Sequence, residues 1–125
     1  MTHKKMLKRH FYNIRQRCCE IIDREYPEEK DKYAIVRDLV GNLIKDGCVI
    51  LDAGCGHKTN IPDHNGYRVK KIGMDMVLED VRNNKTLDFA LVSNINYIPF
   101  RDESFNLIIS NMVFEHLQEL EKAFA

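Results

Sequence analysis

The stretch Cys48-Val-Ile-Leu-Asp-Ala-Gly-Cys-Gly-His57 decides the fold. Its apolar run is typical of a parallel strand buried on both faces. Asp52 ends the run, and the glycines at 54 and 56 let a backbone turn approach a ligand without a Cβ atom in the way. Because open α/β sheets bind ligands at the carboxyl ends of their strands, we expect Asp52, Gly54 and Gly56 to form a binding turn.

The residues after this turn indicate which ligand it binds. A dinucleotide-binding turn carries a third glycine, but Thr59 occupies that position. Pro62 and the pair Asn65-Gly66 leave room for about one or two helical turns, too little for a long phosphate-binding helix. A second predicted strand ends in Asp75, roughly 20 residues after the glycines, where an acid reaches ribose hydroxyls. The sequence therefore favours a ribose-containing ligand without a pyrophosphate over a dinucleotide.

Apolar periodicity predicts a helical region followed by a sheet. We expect helices over 2–26, over 29–45 and from Val113 to the end, and strands over 48–53, 69–75, 88–93 and 105–110. In the second helix the predicted inner face consists of Tyr33, Val36, Val40 and Leu43. These boundaries predict an N-terminal helical segment, 1–46, and a sheet domain, 47–125.

Four segments together resemble the class I S-adenosylmethionine (SAM)-dependent methyltransferases: Leu51-Asp-Ala-Gly-Cys-Gly56, Ile72-Gly-Met-Asp75, Ile98-Pro-Phe-Arg-Asp-Glu-Ser-Phe-Asn-Leu-Ile-Ile-Ser110 and Val113-Phe-Glu-His-Leu117. The third is similar to the Leu-Pro-Phe-x-Asp-x-Ser-Phe-Asp block of the methyltransferase type 11-like group. The resemblance implies a Rossmann-like, doubly wound, mostly parallel α/β sheet, here truncated to about four strands in the order 3-2-1-4, with N-terminal helices.

The resemblance also implies a SAM site. Asp75 would accept both ribose hydroxyls, the glycine turn would pass under the methionyl and ribose parts, and Asp52 would lie near the ammonium group. Asn94 stands where the family usually has an acidic residue that accepts a hydrogen bond from the adenine amino group. The amide oxygen of Asn94 can still accept this bond, but the bond is no longer charge-assisted. The other cofactor-binding residues implied are Ala53, Cys55, Met76, Ile95, Ser110 and Asn111. Two structural alternatives remain: the glycines serve only the turn, and Asp75 is a helix N-cap.

The expected reaction is in-line methyl transfer to a small-molecule acceptor. The main contribution of the enzyme to the rate is to hold the acceptor atom and the sulfonium group in the geometry of attack. His116 is the candidate general base, a role that histidine serves more often than any other side chain. Neighbouring Glu115 would lie on another helix face, so the two do not imply an acid–base pair. No metal site is expected.

Composition limits the partners. The 125 residues carry a formal net charge of +0 and include four cysteines without a Cys-x-x-Cys pattern, which favours reduced thiols in the cytoplasm and gives no overall attraction to nucleic acid. No apolar stretch is long enough to span a bilayer. The basic segment Lys4–Arg17 fits a helix with a solvated charged face, and the alternatives are binding to anionic lipid, binding to nucleic acid and a transit peptide.

The resemblance implies that the family's domain continues beyond Phe124 into further strands. We therefore expect this chain to be the cofactor-binding half, with part of the acceptor pocket supplied elsewhere. The strand at 105–110 would then lie at a sheet edge, available for self-association or for a complementary chain. A non-catalytic SAM-binding or partner-binding fragment is the alternative function.

Overall fold

The computed structural model describes residues 17, 20, 21, 24, 25, 32–64 and 66–124. The chain divides into two compact units, Met1–Ile35 and Val36–Ala125. The helix predicted over 2–26 lies outside the described residues, except for the isolated helical positions 17, 20, 21, 24 and 25. The elements are α1 (Lys32–Leu43), β1 (Val49–Ala53), β2 (Lys70–Asp75), α2 (Leu78–Asn83), β3 (Phe89–Val92), β4 (Leu107–Ile109), a 3-10 helix (Phe114–His116) and α3 (Leu120–Ala123).

The four strands form one parallel sheet in the order β3-β2-β1-β4. The apolar run that opened the sequence argument is central strand β1, and Ile50 and Leu51 within it are fully buried. Parallel pairing brings the ends of β1 and β2 together, with Asp52 beside Gly73 and Ala53 beside Met74. The predicted Rossmann-like arrangement and strand order are thus confirmed.

Side chains alternate between the two faces of the sheet and build two core clusters. On one face Leu51 and Ala53 of β1 pack with Met74 of β2 and Ile95. On the other face Ile50 packs with Ile44 and Ile61, which follow α1 and the glycine turn respectively. Met74 and Ile95 of the first cluster also line a cavity at the carboxyl ends of the strands, which is described below.

The predicted inner face of α1 was partly wrong. Val40 packs against the second core cluster, but Val36 and Leu43 are 56% and 60% exposed, and the side chain of Tyr33 lies outside the described residues. Ile44, one residue beyond α1, is instead 2% exposed. The C-terminal end of α1 and the residue after it therefore supply the contact with this cluster.

Two connections also differ from the prediction. The continuous helix expected from Val113 is replaced by the 3-10 helix and the four-residue α3, because Leu117 adopts an extended backbone and packs into the first core cluster. Helix α2, between β2 and β3, was not predicted; its acidic first turn at Glu79 and Asp80 suits the positive end of the helix dipole.

Candidate functional site

The glycine turn folds back across the end of β2. Gly54 and Gly56 have φ angles of 84° and 54°, the left-handed region that glycine enters without strain. The backbone N–H groups of Gly54 and Cys55 both donate to the Met74 carbonyl oxygen, at 2.8 and 3.0 Å. A Cβ atom at position 54 would overlap Cγ2 of Val113. Close approach of the chain after β4 therefore requires glycine here, in addition to the backbone angle.

Asp75 ends β2 and is held by backbone groups on both sides. Its Oδ2 accepts from the Gly56 N–H at 2.9 Å, and its Oδ1 accepts from the Val77 N–H at 2.9 Å. The N-cap of α2 is Val77, so the N-cap interpretation of Asp75 was wrong. Each carboxylate oxygen keeps a further lone pair for a ligand hydroxyl.

A cavity of about 310 Å³ lies beside this carboxylate at the carboxyl ends of the strands. Its wall is mainly apolar, and Asp75, Ser93 and His116 supply the polar side chains. The lining residues are Gly54, Met74, Asp75, Met76, Val77, Ser93, Ile95, Met112, Val113, His116 and Leu117. Such a wall with a few polar groups is typical of a small-molecule site.

Asp52 is fully buried and does not line the cavity. Its Oδ2 accepts from the Thr59 hydroxyl at 2.6 Å and from the Asn60 N–H at 2.9 Å. Its Oδ1 is buried and has no hydrogen-bond partner within the described part of the chain. Burial, with a smaller effect from the charge of Asp75, raises the pKa of Asp52 above its ordinary value, against the effect of the hydrogen bonds from Thr59 and Asn60.

The small residues of the turn are buried too. Ala53 and Cys55 are each 1% exposed, and neither lines the cavity. Burial, with the negative charges of Asp52 and Asp75, raises the pKa of the Cys55 thiol to about 11. Cys55 is therefore a neutral thiol at physiological pH rather than a nucleophile.

The predicted residues after β3 and β4 lie at different distances from the cavity. Met76 and Ile95 line it, whereas Asn94, Ser110 and Asn111 do not. The Asn94 Oδ1 atom accepts from the Asn96 N–H at 2.9 Å and so stabilises its own turn. Asn111 donates to Asn60 Oδ1 at 3.3 Å. The structure thus brings together Gly54, Asp75, Met76, Ile95 and His116 around one cavity.

His116 lies at the end of the 3-10 helix, with its side chain 77% exposed and its Nε2 4.0 Å from Glu115 Oε1. At that separation the two side chains do not form a hydrogen bond. Among the residues that the structure describes, no cluster of His, Cys, Asp or Glu could hold a metal ion. No helix in the described part of the chain is long and apolar enough to cross a membrane.

Sequence analysis missed a polar network behind the glycine turn. Asn84, 6% exposed, donates from Nδ2 to the Gly56 carbonyl oxygen at 3.0 Å. Its Oδ1 accepts from the N–H and hydroxyl of Thr86, whose hydroxyl oxygen in turn accepts from the Thr59 N–H. The run Asn83-Asn-Lys-Thr86 is typical of an ordinary loop, so no local signal distinguished Asn84.

A family model described as a methyltransferase domain matches residues 51–125. This chain belongs to the methyltransferase-domain family. The resemblance to SAM-dependent methyltransferases is thereby confirmed, and SAM is the cofactor of that family. The chain is 34% identical over 85 residues to the uncharacterized protein MJ1252 of Methanocaldococcus jannaschii, covering 65% of this chain and 32% of that protein. It therefore spans about a third of the length of this curated relative.

Solved structures support the same fold. A TehB-like SAM-dependent methyltransferase from Corynebacterium glutamicum matches with a TM-score of 0.55 and 23% identity, covering 93% of this chain and 64% of that one. A SAM-dependent methyltransferase from Clostridium acetobutylicum matches at 0.54 and 16%, covering 89% and 50%. CrArsM, an arsenic(III) S-adenosylmethionine methyltransferase from Chlamydomonas reinhardtii, matches at 0.52 and 20%, covering 62% and 33%.

Proposed function

We propose that this chain binds SAM and forms the cofactor side of a methyltransferase that acts on a small-molecule acceptor. The observation that carries the proposal is the Asp75 carboxylate, which two backbone N–H groups orient beside the cavity. The choice of SAM as the cofactor rests on membership of the methyltransferase-domain family. The net charge of +0 provides no overall attraction to a nucleic acid acceptor.

The ligand's parts match the wall of the cavity. The ribose diol donates to the free lone pairs of Asp75, and apolar Met76, Val77 and Ile95 contact the adenine ring. Asn94, Ser110 and Asn111 lie outside this wall, and only the family resemblance supports their roles. In the proposal, Asn94 accepts from the adenine amino group through the second lone pair of its Oδ1 atom, and Ser110 and Asn111 contact the methionyl end.

Methyl transfer then depends on holding the acceptor in line with the sulfonium group. SAM bound in the cavity would supply the methyl group, which would pass from sulfur to the acceptor atom and leave S-adenosylhomocysteine as the product. The exposed imidazole of His116 lies on the cavity wall and removes the acceptor's proton where one must be lost. The free thiols of Cys48 and Cys55 support a cytoplasmic location.

Calorimetric titration tests the cofactor assignment. Wild type is expected to bind SAM and S-adenosylhomocysteine but not NAD, and Asp75→Ala is expected to weaken SAM binding by about tenfold or more, since hydrogen bonds to a charged group contribute about 1.5–3 kcal/mol. Asp88→Ala is the matched control, because Asp88 also accepts a backbone N–H, from Lys71 at 2.7 Å, at the opposite end of the strands. Equal SAM affinity in both folded variants would refute the assignment.

A second candidate function is a SAM-binding module completed by another chain. The observation that favours it is the position of β4, which pairs only with β1 within the described residues. Methyl transfer assays on the purified chain distinguish the two functions: a self-sufficient enzyme turns over alone, whereas a module binds SAM without turnover until the partner is added.

A further inference from the structure

Gly56 is held at both of its backbone polar atoms by side chains from other elements. Its N–H donates to Asp75 Oδ2 at 2.9 Å, and its carbonyl oxygen accepts from Asn84 Nδ2 at 3.0 Å. Asn84 follows α2, and only 6% of its surface is exposed. Burying a side-chain amide costs free energy unless the amide is hydrogen-bonded. The bond from Asn84 to Gly56 offsets that cost, so it is a defined part of the structure.

Side chains fix Gly56, because the backbone bonds to the Met74 carbonyl oxygen hold Gly54 and Cys55 but not Gly56, and no helix restrains it. In dinucleotide-binding folds the helix after the glycines restrains the turn. Here the described residues between Gly56 and β2 contain no helix. A glycine with a positive φ angle has wide backbone freedom, and a loose Gly56 would leave Asp75 Oδ2 without a fixed donor.

The network behind Asn84 orients its amide. Thr86 donates to Asn84 Oδ1 from its N–H at 3.1 Å and from its hydroxyl at 2.6 Å. These bonds fill the acceptor side of the amide and turn the Nδ2 group toward Gly56. The Thr86 hydroxyl oxygen also accepts from the Thr59 N–H at 2.8 Å, which extends the network to the segment that contacts Asp52.

We infer that Asn84 is a positioning residue of the cofactor site: it holds Gly56 so that the Gly56 N–H keeps the Asp75 carboxylate oriented for the ribose hydroxyls. The inference rests on the proposed function. Asn84 does not line the cavity, and its bond to the Gly56 carbonyl oxygen connects it to Asp75 through Gly56.

The test measures SAM and S-adenosylhomocysteine affinity by calorimetry in Asn84→Asp. This substitution keeps an acceptor for Thr86 but removes the donor to Gly56, and we expect SAM affinity to fall by at least about fivefold. Asn83→Asp makes the same charge change at the adjacent exposed position and should alter SAM affinity by less than about twofold. S-adenosylhomocysteine lacks the sulfonium charge, so a similar loss for both ligands shows that the added carboxylate does not act through the sulfonium group.

Coupling to Asp75 separates positioning from a general effect on the fold. In an Asp75→Asn background, Asn84→Asp should weaken SAM binding by less than about twofold, because the group on which it acts has changed. An equal loss in both backgrounds would overturn the inference, as would equal affinities of the Asn83 and Asn84 variants. Wild type that binds no SAM would instead overturn the proposed function, and this inference with it.

Thr86 provides a second pair of variants that spares Asn84. Thr86→Val removes the hydroxyl that orients the amide, and we expect about threefold weaker SAM binding. Thr86→Ser keeps the hydroxyl and should restore wild-type affinity. If the two variants bind SAM equally, the amide orientation does not matter and the inference is wrong.

Discussion

At the scale of single residues, two carboxylates near the carboxyl ends of neighbouring strands have different environments: Asp75 is the last residue of β2, and Asp52 is the last but one of β1. Asp75 is half-buried at the cavity wall and bound by two backbone N–H groups, whereas Asp52 is fully buried behind the turn. The sequence predicted that both would lie near the cofactor, since both lie near strand ends. It could not predict their separation, because that depends on Thr59 and Asn60 folding back over Asp52.

The raised pKa of Asp52 makes its effect on stability depend on pH. Its native pKa lies above the unfolded value of about 3.9, so the native state binds more protons and the contribution of Asp52 to the unfolding free energy falls as pH rises through the native pKa. Asp52→Asn keeps an acceptor for the Thr59 hydroxyl but removes this titration. In urea denaturation from about pH 4 to about pH 8, the stability of the variant relative to wild type should therefore rise with pH.

Asp63→Asn, at an exposed carboxylate, is the control for this measurement. A constant stability difference between Asp52→Asn and wild type across the pH range would show that burial does not raise the pKa of Asp52.

At the scale of elements, the glycine turn and the chain after β4 depend on each other. Strand order and the position of the turn could be predicted, because the apolar run of β1 and the acid-ended β2 are local patterns. The contact between Val113 and Gly54 could not be predicted, because the two residues are far apart in the sequence. Leu117, like Val113, packs against the first core cluster, and its extended backbone interrupts the helix expected there.

Gly54→Ala tests this dependence. The left-handed backbone costs alanine about 1–2 kcal/mol, and overlap with Val113 adds at least about 1 kcal/mol more. Gly47→Ala is the matched control, because Gly47 has a φ angle of 83° with nothing within 4 Å of the added Cβ atom. Chemical denaturation should show the larger loss at Gly54, partly restored by Val113→Ala. Equal losses at both glycines would mean that Val113 does not constrain the turn.

At the scale of the whole molecule, β4 leaves one edge of the sheet without a strand partner in the described part of the chain. Its Ile108 is 54% exposed, and no Lys or Pro within the strand discourages pairing. The sequence predicted this edge through the family's strand order. The observed strand, Leu107–Ile109, is shorter than the predicted 105–110. Just before it, Asn106 Oδ1 accepts from the Val49 N–H at 2.8 Å, and the Asn106 N–H donates to the Val49 carbonyl oxygen.

We expect the purified chain to self-associate through this edge. Sedimentation velocity should show a larger species that grows with concentration, and Ile108→Lys should shift it toward monomer without loss of secondary structure. Ile35→Lys, the same change at an isoleucine of α1 that is 43% exposed, should leave association unchanged. Wild type that stays monomeric at all concentrations would exclude the edge as an interface.

The central claim, that the cavity beside Asp75 is a SAM site, is tested most directly by a crystal structure with S-adenosylhomocysteine. We predict both ribose hydroxyl oxygens within about 3 Å of the Asp75 carboxylate, with the Asp75 bond to the Gly56 N–H retained. A nucleoside bound elsewhere, with Asp75 still contacting only Gly56 and Val77, would contradict the account.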